Sequence, residues 1–152
     1  MDTDDPLWGA LDRVAETPTL LVACAFDGAL APEEGDPAEA RAEQVSSEAL
    51  NVLMALPGTT VAVVSERPAD EVAELMFLSG SKGGARVVTA EDVGALRAQV
   101  GATAMVTVGF EPTGTERDDV VVGVDAAAPY EVEDVDEVAE VLEELASLRR
   151  RI

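Results

Sequence analysis

Four short runs of almost uninterrupted apolar residues constrain this chain more than any other feature: residues 19–25, 59–65, 104–108 and 120–124. A strand with one face in water alternates apolar and polar side chains, so runs like these belong to strands covered on both faces, as in a parallel sheet. The segments between them carry helical spacing. Asp5-Pro6 opens a short helix bearing Leu7, Leu11 and Val14, with Trp8 helping to dock it. Ser46 or Ser47 is the expected cap of a helix carrying Leu50, Leu53 and Met54, closed by Pro57-Gly58.

Further along, Arg67-Pro68 starts a helix through Val72, Leu75 and Met76 that ends in the glycine-rich loop 80–84. Residues 86–88 form a short strand. Thr89, with Asp92 three residues on, fits a capping box for a helix running through Leu96 to Gly101. Asp134, with Glu137 in the box position, starts a last helix with Val138, Val141, Leu142, Leu145 and Leu148 on one stripe and Arg149, Arg150 and Arg151 at its end. Alternation of strands and helices predicts an α/β fold: an open, mostly parallel sheet with helices on both faces, as a single domain over residues 1–152. Sites in such folds lie beyond the carboxyl ends of the strands, which directs attention to the loops after Ala25, Val64 and Val108.

Composition removes several chemistries. The chain has no histidine, which excludes Ser-His-Asp and Cys-His activation and any zinc site built on imidazole. The lone Cys24 cannot form an internal disulfide. With 31 acidic residues against 10 basic ones, the net charge of −21 repels nucleic acid and anionic membranes. No apolar run approaches the ~20 residues of a membrane span, and the acidic start Met1-Asp2-Thr3-Asp4-Asp5 is unlike a signal peptide. The expectation is a cytoplasmic protein with a solvated acidic surface.

The segment Leu20-Leu21-Val22-Ala23-Cys24-Ala25-Phe26-Asp27-Gly28-Ala29-Leu30-Ala31-Pro32 resembles the first motif of HAD-type phosphatases, Asp-Phe-Asp-Gly-Thr-Leu after a buried strand. Asp36-Pro37-Ala38-Glu39-Ala40-Arg41 and Leu56-Pro57-Gly58-Thr59-Thr60-Val61-Ala62-Val63-Val64-Ser65 are similar to the trehalose-6-phosphate phosphatase branch. The likeness runs over residues 19–145. It implies a HAD-like, Rossmannoid fold.

The resemblance also implies a set of site positions, and most are altered here. The nucleophilic, magnesium-binding aspartate is Ala25, whose methyl group can neither attack phosphorus nor bind a metal. Asp27 keeps the place of the general acid and base, while the phosphate-contacting threonine is Ala29. The Ser-Gly-Arg motif reads Ser65-Glu66-Arg67, with a carboxylate where an anion would approach. The lysine motif corresponds to Val93-Gly94-Ala95-Leu96, and Lys82 is the only lysine in the chain. The acidic magnesium motif reads Val108-Gly109-Phe110-Glu111, leaving Glu111 as its one carboxylate. Residues 68–92 leave no room for the cap domain of that branch.

No catalytic residue, magnesium site or other cofactor is therefore expected, and Asp27, Ser65, Arg67 and Glu111 read as vestiges. The resulting expectation is a capless pseudophosphatase acting as a protein-binding, accessory or regulatory subunit of a larger assembly, with room for a homo-oligomer. Its contact surfaces would be the acidic segment 27–44 or the basic end 149–151. One alternative is a divergent phosphatase for a sugar phosphate such as trehalose 6-phosphate, in which Asp27 and Glu111 hold magnesium and water attacks directly. Another is an acidic mimic that binds a basic partner through a directional stripe of acids.

Overall fold

All four apolar runs enter one sheet, and two three-residue strands complete it. The computed structural model describes residues 6–31, 44–68, 71–72, 86–112, 115–116, 119–125 and 127–151. Along the chain come α1 (Pro6–Val14), β1 (Leu20–Ala25), α2 (Gln44–Ala55), β2 (Thr59–Val64) and β3 (Arg86–Val88). A 3-10 turn (Ala90–Asp92) leads into α3 (Val93–Val100), followed by β4 (Ala104–Val108), β5 (Val120–Val124), β6 (Tyr130–Val132) and α4 (Val135–Arg150). The sheet order is β3-β2-β1-β4-β5-β6, and every pairing is parallel.

Period-two alternation sends each central strand to both faces. Leu20, Val22 and Cys24 join a core with Leu11 of α1, Leu50 and Leu53 of α2, and Leu142 and Leu145 of α4. Leu21 and Ala23 point the other way, with Ala62, Val64 and Met105, against Val93 and Leu96 of α3. All six residues of β1 are buried, which is why it reads as an unbroken apolar run. Each fully buried leucine contributes about 1.5–3 kcal/mol relative to exposure. Trp8 is half-buried against the first core, as expected of a docking residue.

Several sequence-based expectations need correction. Ser46 and Ser47 do not cap α2; the helix already begins at Gln44, whose side-chain amide donates to Glu48 at 3.0 Å, and both serines are buried inside it. The Thr89 hydroxyl donates to the Asp92 carboxylate at 3.1 Å instead of capping, and the chain enters α3 through the 3-10 turn. Strand β6 was not anticipated; its middle residue is the exposed Glu131, so it carries no apolar run. Asp134 does cap α4, accepting from the Glu137 amide at 3.1 Å. Asp5, Leu75, Met76, Lys82 and the glycine-rich loop lie outside the described residues, as does most of the acidic segment.

The basic end of α4 is also not the surface that its sequence suggests. Arg149 is buried, and its guanidinium donates to Thr59 Oγ1 (2.6 Å), the carbonyls of Ala15 (3.0 Å) and Thr17 (2.8 Å), and that of Gly58 (3.1 Å). It ties the last helix to the loops that enter β1 and β2. Burial lowers its pKa from the ordinary arginine value. Only Arg150 and Arg151 remain exposed there. Among the described residues no helix is long and apolar enough to cross a membrane.

Candidate functional site

Strand order reverses between β1 and β4, and in open parallel sheets the crevice beyond that point is where ligands sit. The loops after β1, β2 and β4 meet there. The parallel register sets Ala25 opposite Val64 and Cys24 opposite Val108, so residues just past each strand end become neighbours.

The loop after β1 is tightly folded. Phe26 donates its amide to Val64 O (3.0 Å), Gly28 to Ala31 O (2.7 Å), and Ala31 to Phe26 O (2.8 Å). The Phe26 side chain is fully buried beneath the site, as are Ala29 and Leu30. Ala25 is 8% exposed, leaving its methyl group at the floor of the crevice.

Beyond β4 the chain turns at Gly109, which has φ +83° and donates its amide to Val122 O at 2.9 Å. A Cβ placed on Gly109 would stand 2.7 Å from Ala29 Cβ and 3.2 Å from Ala25 Cβ. The three small residues therefore fill the centre of the switch point between them. Phe110 packs against both cores, and Glu111 is exposed.

Asp27, Ser65 and Arg67 are brought together. Arg67 presents Nε to Asp27 Oδ2 at 3.1 Å and Nη2 to Asp27 Oδ1 at 2.8 Å, a bidentate pair. Its Nη1 donates to Glu71 at 3.1 Å, and its charge lies 5.2 Å from the centre of the Phe26 ring. The Ser65 hydroxyl accepts the Arg67 backbone amide at 3.0 Å, fixing the turn after β2. The hydrogen bond that the guanidinium donates to Asp27 raises its pKa above the ordinary value, against an opposing effect of desolvation. Sequence reading named all three residues but not their pairing, nor Phe26 and Glu71 as partners of Arg67. That pairing depends on the register of β1 with β2, which local spacing does not reveal.

The remaining expected positions are accounted for simply. Val93, at the place of the family's lysine, is buried in the second core at the start of α3. Glu66 is exposed. A magnesium ion of the kind the resemblance implies does not fit these residues. Two of its ligand positions are Ala25 and Phe110, and Asp27 is committed to Arg67. Among the described residues no three Cys, Asp or Glu side chains gather as a metal cage. A cleft of about 310 Å³ lies instead at the opposite ends of the strands, lined in part by Arg13, Thr17, Asp119 and Tyr130. Its Asp119 is saturated by Arg97 and by the amides of Met105 and Glu116.

No protein-family model and no curated protein matches the sequence. Solved structures do match by shape. A hypothetical protein of Xanthomonas campestris superposes with a TM-score of 0.68 at 15% identity, covering 100% of this chain and 94% of that one. The C-terminal domain of Candida albicans trehalose-6-phosphate phosphatase gives 0.67 at 12% identity, covering 94% and 97%. The 3-deoxy-D-manno-octulosonate 8-phosphate phosphatase of Moraxella catarrhalis, solved with magnesium, phosphate and KDO, gives 0.57 at 16% identity, covering 93% and 94%. With its parallel sheet flanked by helices, this chain has the core fold of the HAD-type phosphatases.

Proposed function

We propose that this chain is a non-catalytic, HAD-like pseudophosphatase that serves as a protein-binding accessory or regulatory subunit. The observation that carries this reading is the filled switch point. Ala25 and Ala29 pack on Gly109 where a nucleophile, a metal and a phosphoryl group would need space and charge. Phosphoryl transfer depends on positioning and on stabilising developing negative charge, and an alanine-lined floor supplies neither. The one aspartate left in the loop is bound to Arg67 through both oxygens.

The similar phosphatases act on phosphorylated sugars by name, which bears on this chain as ancestry of the fold rather than as a present activity. Direct attack by water between Asp27 and Glu111 is disfavoured because Asp27 is already paired. An acidic mimic is disfavoured too: among the described residues, exposed acids are spread over α1, α2, α4 and loops at both ends of the sheet rather than along one stripe.

The test is one preparation of the native protein, assayed for magnesium-dependent phosphate release from trehalose 6-phosphate and recovered from its own cells for partner identification. A stoichiometric protein partner without turnover supports the proposal. Magnesium-dependent release that disappears in Asp27→Ala overturns it.

A further inference from the structure

Asp27 is followed by Gly28, and the chain contains no other Asp-Gly step and no Asn-Gly step. Such a link is chemically labile, because glycine has no Cβ to shield its nitrogen from the preceding side chain. Gly28 N loses its proton and attacks Cγ of the protonated Asp27 side chain. The new C–N bond forms as a Cγ–O bond breaks and the oxygen departs as water, leaving a cyclic succinimide. Water then adds to either ring carbonyl: opening at Cγ restores aspartate, whereas opening at the main-chain carbon routes the backbone through Cβ as isoaspartate. One water leaves and one returns, and no other reactant is needed.

Both partners of that ring closure are engaged in the fold. Gly28 donates its amide to Ala31 O at 2.7 Å, which holds the proton that must leave. The Asp27 carboxylate accepts from Arg67 Nε at 3.1 Å and from Nη2 at 2.8 Å, and this bidentate grip keeps it in one orientation. Arg67 is itself steadied by Glu71 at 3.1 Å and by the Phe26 ring at 5.2 Å. The Asp27 side chain is nevertheless 38% exposed, so burial alone does not keep water from it.

We propose that Asp27-Gly28 is a latent isomerisation site, kept closed in the folded chain by Arg67 and the Ala31 carbonyl. Opening of the Arg67 pair releases the carboxylate to the neighbouring amide. Isoaspartate then lengthens the backbone by one carbon and takes the carboxylate out of register with the guanidinium, so the crevice ages at this peptide link. The inference holds whether or not the chain has a protein partner.

The experiment incubates wild type, Arg67→Gln and Arg67→Lys in mildly acidic buffer, with wild type also in urea. Isoaspartate at residue 27 is measured by peptide mass spectrometry with electron-transfer fragmentation, and circular dichroism reports the fold. Native wild type should be the slowest sample and wild type in urea the fastest. Folded Arg67→Gln should isomerise on the order of fivefold faster than native wild type, the factor expected when a partly exposed ion pair is removed. Arg67→Lys, which keeps the charge but not the two-pronged grip, should fall between them. A native wild-type rate equal to that in urea overturns the proposal, as does a folded arginine variant no faster than wild type. Two variants that fail to fold would assign the shielding to the fold as a whole and overturn the role given to Arg67.

Discussion

Gly109 and Ala29 pack so closely that a Cβ on the glycine would lie 2.7 Å from the alanine Cβ. Gly109 also has φ +83°, a left-handed conformation that costs an L side chain about 1–2 kcal/mol. Gly109→Ala should therefore destabilise the protein by about 2–5 kcal/mol, the sum of backbone strain and overpacking. Ala29→Thr, which restores the family's hydroxyl in a fully buried position, should cost about 1–3 kcal/mol. Urea unfolding measures both, and a neutral Ala29→Thr would mean that the crevice has room after all.

Arg149 connects α4 to the loops before β1 and β2 through four acceptors, none of them charged. Truncating it removes the donor from the buried Ala15 carbonyl and the part-buried Thr17 carbonyl, while Gly58 O keeps the Leu20 amide at 2.8 Å. Arg149→Ala should cost about 2–4 kcal/mol, and Arg149→Lys should recover only part of this, since an ammonium cannot span the same acceptors. The unfolding midpoints of the two variants decide it.

Arg97 and Asp119 form an ion pair in which the side chains are 8% and 1% exposed. Asp119 also accepts the Met105 amide at 3.1 Å, joining α3 to β4 and to the start of β5. Asp119→Ala leaves a buried guanidinium with, among the described residues, only the exposed Glu116 as an acidic partner, and the expected loss is about 3–5 kcal/mol. Replacing both members, as Arg97→Met with Asp119→Leu, should cost less than Asp119→Ala alone. A double-mutant cycle in urea tests the ordering.

Cys24 is fully buried in β1, and desolvation pushes its thiol from 9.0 up to about 12. A thiol-specific reagent should therefore react only as fast as the protein opens. The folded state resists ionisation while the unfolded chain ionises near pH 9. This contribution to stability is intact below pH 9.0 and is lost progressively between 9.0 and about 12. By about pH 10 the loss is on the order of 1 kcal/mol, and Cys24→Ala should not show it. Comparing urea midpoints of the two proteins across that range checks the sign.

The sheet was legible because burial on both faces demands continuous apolar side chains, and residues 20–25 and 104–108 carry that mark directly. The altered site positions were legible too, since Ala25, Ala29 and Phe110 sit in a motif whose spacing survives. Strand β6, centred on the exposed Glu131, was not, nor was the extension of α2 ahead of Ser46.

By itself the sequence determined which segments are strands and helices and which reactive groups are missing, since both depend on local side-chain chemistry. Only the tertiary structure decided what the surviving polar residues do. Asp27 meets Arg67 and Arg149 meets Gly58 across 40 and 91 positions of sequence, respectively. Those encounters are fixed by strand register and helix packing, which place the ends of distant segments side by side and leave no trace in local spacing.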